Sequence, residues 1–188
     1  MYKITKREDA KRRQVLFAET LLKMLKNYSL NEVSVTDLTK AAKIPRKAFY
    51  RYYDNIDDVC CFIIDYLIEK EQIQVWKDYV PNQSDDKQYL IKWLSFWKEN
   101  RSVMPLLKER KYYRFLVTTI MIRMNDGEIE DIRERTADPR MVRHYFVTNG
   151  AMALLECWER NGYKVSEREM AELIIELLSK PLIEIGRK

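Results

Sequence analysis

Glycine and proline are scarce in this chain: four and five residues among 188. Material for tight turns is thin, and alternation of the strand type is nearly absent. An all-α fold follows. One histidine cannot build a metal cluster, and the adjacent pair Cys60-Cys61 lacks the spacing of zinc ligands. Three cysteines are an odd number; with apolar neighbours, they argue against a disulfide framework and for a reducing compartment. No apolar run approaches the roughly 20 residues that span a bilayer, and MYKITKREDAKRR lacks the apolar centre of a signal peptide. A soluble, cytoplasmic protein without a membrane partner is expected. No Gly-rich phosphate loop and no Ser/His/Asp set can be picked out. The expectation is therefore no enzyme, no cofactor and no metal.

What is present is a charge split. The chain carries a net +5, but residues 1–53 hold thirteen Lys/Arg against five Asp/Glu, a balance of +8, while residues 54–188 hold twenty-one against twenty-four, a balance of −3. A basic head on a mildly acidic body suits a head that meets a polyanion. The hydrophobic fraction of 46% is enough for a substantial core in the rest.

Apolar spacing predicts a first helix from about Arg7 to Asn27, with Val15, Ala18, Leu22 and Leu25 on one face. Lys11, Arg12 and Arg13 precede that stripe and are either solvated or within reach of a polyanion. Ser34, with Asp37 three residues later, reads as the N-cap of a second helix. Lys43-Ile44 is the turn, and Pro45 suits the first position of a third helix. On a helical wheel Phe49 and Tyr53 fall together and face the core. Lys47 and Arg51 point the other way, with Tyr50 and Tyr52 at the flanks. Arg46, Lys47, Tyr50 and Arg51 on one open side suit a helix lying against a phosphate backbone with its tip at base edges. Asn55 with Asp58 caps a fourth helix that is apolar on several sides. Beyond the break at 81–86, segments at 89–98, 104–108 and 112–124, a turn at Asn125-Asp126-Gly127, and then a helix preceded by Ala137-Asp138-Pro139 and running to about Arg160 follow. Asn161-Gly162 ends that helix, and Ser166 with Glu169 is a capping box for the last one.

The segment VTDLTKAAKIPRKAFYRYYDNIDDV resembles the DNA-binding signature of the TetR family of bacterial transcriptional regulators, with its aromatic run standing as Ala48-Phe49-Tyr50-Arg51-Tyr52-Tyr53. The match covers about residues 8–62. It departs from the family at Lys43, where glycine is common, at Ala48, where a hydroxyl is frequent, and at Ile56, where a lysine usually opens the fourth helix.

The resemblance implies a three-helix helix–turn–helix domain over residues 1–54 and a helical regulatory and dimerisation bundle over 55–188. Helix 45–53 becomes the recognition helix, with Thr36, Arg46, Lys47, Ala48, Tyr50, Arg51 and Tyr52 at double-stranded DNA, a pseudo-palindromic operator. Gly150, Ala151, Leu154, Leu155, Trp158, Leu173, Ile174 and Leu177 are the implied homodimer surface. Trp93, Trp97, Tyr112, Phe115, Met121 and Phe146 are candidates either for a small-molecule effector pocket or for plain core. The implied function is a homodimeric repressor relieved by an effector. The alternative is an architectural or cell-division DNA-binding protein on the same fold, without an effector.

Overall fold

A computed structural model describes residues 2–3, 8–124 and 139–179. The described residues are helical without strands. The helices are α1 (Glu8–Met24), α2 (Val35–Ala41), α3 (Arg46–Phe49), α4 (Ile56–Glu71), α5 (Asp86–Glu99), α6 (Met104–Leu107), α7 (Arg110–Met124), α8 (Pro139–Arg160) and α9 (Glu167–Ser179). The all-α expectation holds. The turn expected at Asn125-Asp126-Gly127, and Ala137-Asp138 before α8, lie outside the described residues.

The chain divides into two compact units, residues 1–69 with 102–145 and residues 70–101 with 146–188. In the first, Phe17, Leu21, Leu38, Phe49, Tyr53 and Ile63 are fully buried. Their aromatic members meet edge to face: Phe17 on Phe49 with ring centroids 5.4 Å apart, Phe17 on Tyr53 at 6.1 Å, and Tyr53 on Phe62 at 5.8 Å. Such pairs add to the burial of large apolar area. Elsewhere in this unit Val117, Met121 and Met141 form a further apolar cluster with Tyr113 packed against it.

Caps set the helix boundaries. Ser34 Oγ accepts from the Asp37 amide at 3.1 Å and starts α2. Asn55 Oδ1 accepts from the Asp58 amide, and Asp58 Oδ2 accepts from the Asp54 amide, each at 2.9 Å, so one first-turn donor of α4 and one amide just ahead of the helix are paired. Ser166 and Glu169 form the expected reciprocal box ahead of α9. At the end of α8 the amides of Gly162 and Tyr163 donate to the carbonyls of Glu159 and Trp158, with Gly162 in the left-handed region at φ +65°. That pattern is the Schellman termination glycine favours.

In the second unit α5 packs against α9, tied by Lys98 to Glu167 at 2.8 Å and Lys87 to Glu172 at 2.6 Å. One feature here was not expected from the apolar spacing. α4 does not stop at Glu71 but widens into a π-helical turn over Gln72–Trp76. The turn brings Trp76 Nε1 to 3.0 Å from Oε1 of Glu71, a buried carboxylate. Burial raises the pKa of Glu71 above the usual carboxylate range, while the indoles of Trp76, Trp93 and Trp97 pull it down.

Candidate nucleic-acid interface

The helix–turn–helix geometry begins with the end of α2. The amide of Ile44 donates to the Thr39 carbonyl at 3.1 Å and that of Lys43 to the Lys40 carbonyl at 3.1 Å, while Lys43 takes φ +55°. This is the same Schellman termination, now built on a lysine where a side chain is strained. The departure from glycine noted in the sequence therefore changes the residue and keeps the turn.

Pro45 is the N-cap of α3, with φ −58° and ψ 139°, one place earlier than the first helical position expected of it. The regular α-helix covers only Arg46–Phe49, shorter than the expected 45–53. Beyond it the amides of Arg51 and Tyr52 reach back to the carbonyls of Ala48 and Phe49, three residues away, at 3.3 and 2.9 Å. A tightened last turn of this kind is common where a helix ends. It still carries Arg51 on the open side.

Phe49 and Tyr53 anchor the element, and the Tyr53 hydroxyl donates to the Gln14 carbonyl at 3.1 Å. Arg46, Lys47, Tyr50 and Arg51 are exposed on the opposite side, with Ala48 and Thr36 half-buried. Tyr52 differs from its expected place on the flank: its side chain is buried at 8% exposure. The turn that ends α3 carries its ring toward the core. Arg46 donates from Nε and Nη2 to the Tyr50 hydroxyl at 3.2 and 3.0 Å, and its guanidinium carbon lies 5.6 Å from the Tyr50 ring centre. The arginine is thus held over its neighbour and presented outward.

Of the basic run Lys11-Arg12-Arg13 in α1, Lys11 is engaged with Glu69 of α4 at 3.0 Å, while Arg12 and Arg13 remain exposed. A residue the sequence reading passed over, Lys3, donates from Nζ to the Tyr50 carbonyl at 3.0 Å. Asp57 at the start of α4 accepts from Lys111 Nζ at 2.9 Å and from the Tyr112 hydroxyl. These two donors, Tyr112 first, hold the Asp57 carboxyl below its usual range.

The other candidates fall as follows. Tyr112 and Met121 are buried and Phe115 is half-buried in the first unit; Trp93 and Trp97 are buried in the second. Phe146 is 66% exposed, so the structure does not enclose it. Of the dimer candidates, Leu155 and Trp158 are buried within their own unit, Trp158 donating to the Val165 carbonyl at 2.8 Å and meeting Tyr163 edge to face. Ala151, Leu154 and Ile174 are half-buried. Leu173 and Leu177 are exposed at 53% and 43%, and a methyl group added at Gly150 would meet nothing within 4 Å.

The thiol of Cys60 is buried and pushed up to about 12 by that burial, which keeps it unreactive. Cys157, expected in apolar surroundings, is exposed on α8. Among the described residues no group of His, Cys, Asp and Glu is placed to hold a metal ion, and no helix is long and apolar enough to cross a membrane.

No protein-family model matches the chain. It is 22% identical over 178 residues to the HTH-type transcriptional regulator YuxN of Bacillus subtilis (strain 168), an alignment covering 88% of this chain and 61% of that protein. The chain thus spans about three fifths of the length of this curated relative. Among solved structures it is similar to a TetR transcriptional regulator from Streptococcus agalactiae 2603V, with a TM-score of 0.60 at 12% identity over 92% of this chain and 96% of that one. It is also similar to the dihydroxyacetone kinase operon activator DhaS, with a TM-score of 0.57 at 18% identity over 88% and 93%. These proteins carry the names of regulators and not of enzymes. With the signature at α2–α3 and an all-helical body, the chain has the fold of the TetR family of transcriptional regulators.

Proposed function

We propose that the chain is a DNA-binding transcriptional regulator that acts as a homodimer, with α3 entering the major groove and residues 1–54 serving as the DNA-binding part. The observation that carries this reading is the two-sidedness of α3. Phe49 and Tyr53 are fully buried, and Arg46, Lys47, Tyr50 and Arg51 stand exposed on the other side. Arginine and lysine there can donate to guanine O6 and N7 or to phosphates, and the basic balance of residues 1–53 supplies sequence-independent attraction. Thr36, near the start of α2, adds a hydroxyl to a flanking phosphate.

One helix–turn–helix reads few base pairs, so two copies on half-sites about 34–36 Å apart complete the recognition. The open faces of α8 and α9, with Gly150, Leu173 and Leu177, are the surface assigned to the second copy. Residues 55–188 are the regulatory and dimerisation part. There an effector would favour one of two arrangements of the dimer and relieve repression. The effector candidates are Tyr112, Phe115 and Met121 in the first unit and Trp93 and Trp97 in the second.

The test is a mobility-shift assay on genomic fragments over a range of salt. The chain should retard a small set of fragments, and joint replacement Arg46→Ala with Arg51→Ala should abolish selection among them and flatten the salt slope. Unchanged affinity and slope would remove α3 from the interface.

A further inference from the structure

The turn that closes α3 leaves main-chain carbonyls without helical partners, at Tyr50 and Tyr52 among others. Residues distant in sequence supply the donors. The amide of Lys3 donates to the Tyr52 carbonyl at 2.9 Å, and Lys3 Nζ donates to the Tyr50 carbonyl at 3.0 Å while lying 3.3 Å from Asp54. A cation at this end also complements the helix dipole.

Lys3 is itself held in place. Its carbonyl accepts from Gln14 Nε2 at 2.9 Å, and Gln14 is 2% exposed, a buried amide on α1 whose own main-chain carbonyl receives the Tyr53 hydroxyl. The preceding residue is anchored on α4: the Tyr2 ring meets Phe62 edge to face at 5.3 Å, and its hydroxyl donates to Asp65 Oδ2. The other oxygen of that carboxylate accepts from Arg123 Nη2 of α7 at 2.5 Å, which fixes the acceptor.

We propose that Tyr2 and Lys3 form a strap that positions the DNA-reading face. Lys3 fixes the backbone of Tyr50, the residue whose hydroxyl holds Arg46, and Tyr2 ties Lys3 to Asp65 on α4. Lys3 is a positioning residue acting through Tyr50, and its own charge is turned to the Tyr50 carbonyl and Asp54 in place of a phosphate. This rests on the DNA-binding reading of α3.

The experiment uses the full chain and a DNA fragment that the wild-type chain selects from a random-sequence pool. Dissociation constants are measured across a salt series for Lys3→Met, Lys3→Arg and Tyr2→Phe. Hydrogen exchange is followed at the amides of residues 50–53. Lys3→Met should weaken binding about five- to twentyfold with the salt slope of the wild type, and should speed exchange at those amides. Lys3→Arg should restore binding to within about twofold. Tyr2→Phe should weaken it about threefold.

A slope reduced by about one in Lys3→Met would make Lys3 a phosphate contact and overturn the proposal. Unchanged affinity, or unchanged exchange in the recognition turn, would overturn it as well. If the wild-type chain selects no DNA, the reading of α3 fails, while the exchange arm still decides whether the strap holds the turn.

Discussion

The Arg46 guanidinium is fixed by the Tyr50 hydroxyl, which accepts from Nε at 3.2 Å and Nη2 at 3.0 Å one turn further along α3. Both residues are exposed, so the contact adds little to folding. Its effect is on the direction of the guanidinium before DNA arrives. An arginine pre-set in this way loses less rotamer freedom on binding than one free in solvent. Replacing Tyr50 with Phe keeps the ring and removes the acceptor. The expected result is a loss of affinity of about three- to tenfold at constant salt, with folding unchanged. Titration of a labelled fragment against both proteins, with thermal melts as the control, checks it. A direct phosphate contact by Tyr50 is separated from positioning by combining Tyr50→Phe with Arg46→Ala: if Tyr50 acts through Arg46, the two losses are far from additive.

Lys43 offers a stability test of the turn. Its φ of +55° places a side chain in the left-handed region, which costs an L-residue roughly 1–2 kcal/mol. Glycine there relieves that strain but surrenders about 0.5–1 kcal/mol of chain entropy. Lys43→Gly should stabilise by about 0.5–1 kcal/mol, a rise in Tm of about 1–4 °C, as read from urea and thermal unfolding. A lower Tm would show that the lysine side chain contributes more here than its backbone strain removes.

Most of the fold could be read from the chain because its signals are local. Ser34 with Asp37, Asn55 with Asp58 and Ser166 with Glu169 are caps spelled by residues three apart, and each starts a helix where the spacing predicts. The burial of Phe49 and Tyr53 beneath Lys47 and Arg51 follows from helical periodicity alone. What escaped depends on contacts distant in sequence or on a change of helical pitch. Lys3 and Lys11 look alike in sequence as terminal charge, yet one caps α3 and the other pairs with Glu69. Tyr52 turns inward because α3 tightens after Phe49, which a wheel drawn at a constant 100° per residue cannot show. Glu71 has no marker of burial in the string Glu69-Lys70-Glu71; the π turn that follows, with Trp76, and the α5 indoles of Trp93 and Trp97 surround it.

That enclosure gives a pH prediction. Burial raises the folded-state pKa of Glu71 above its ordinary value, with the three indoles opposing. The folded state therefore holds a proton more tightly than the unfolded chain. The resulting contribution to stability is fully present below the ordinary carboxylate range and is lost as pH rises through the raised folded-state value. Glu71→Gln keeps an oxygen for Trp76 Nε1 and removes the charge. Urea midpoints followed from about pH 4 to 8 should fall with pH in the wild type and fall less in the variant. At neutral pH the variant should be the more stable of the two. Parallel pH profiles would show that Glu71 titrates alike in the folded and unfolded states.

The homodimer proposal makes a separate demand on α9. Leu173 and Leu177 are one helical turn apart and both exposed, while Ala171 on the same helix is fully buried. The helix therefore buries one side within its own unit and leaves an apolar side open. Large apolar side chains open together in this way mark interaction surfaces more often than isolated ones do. Leu173→Glu with Leu177→Glu places two charges on that side without touching the buried one. Each chain should keep its helical content and its Tm at low protein concentration. Sedimentation at micromolar protein should show a dimer for the wild type and a monomer for the double variant. Loss of the second half-site contact should then weaken operator binding by about a hundredfold or more, since the linked second binding event is what avidity supplies. A wild-type chain that sediments as a monomer, or a variant that remains dimeric, would move the interface away from α9.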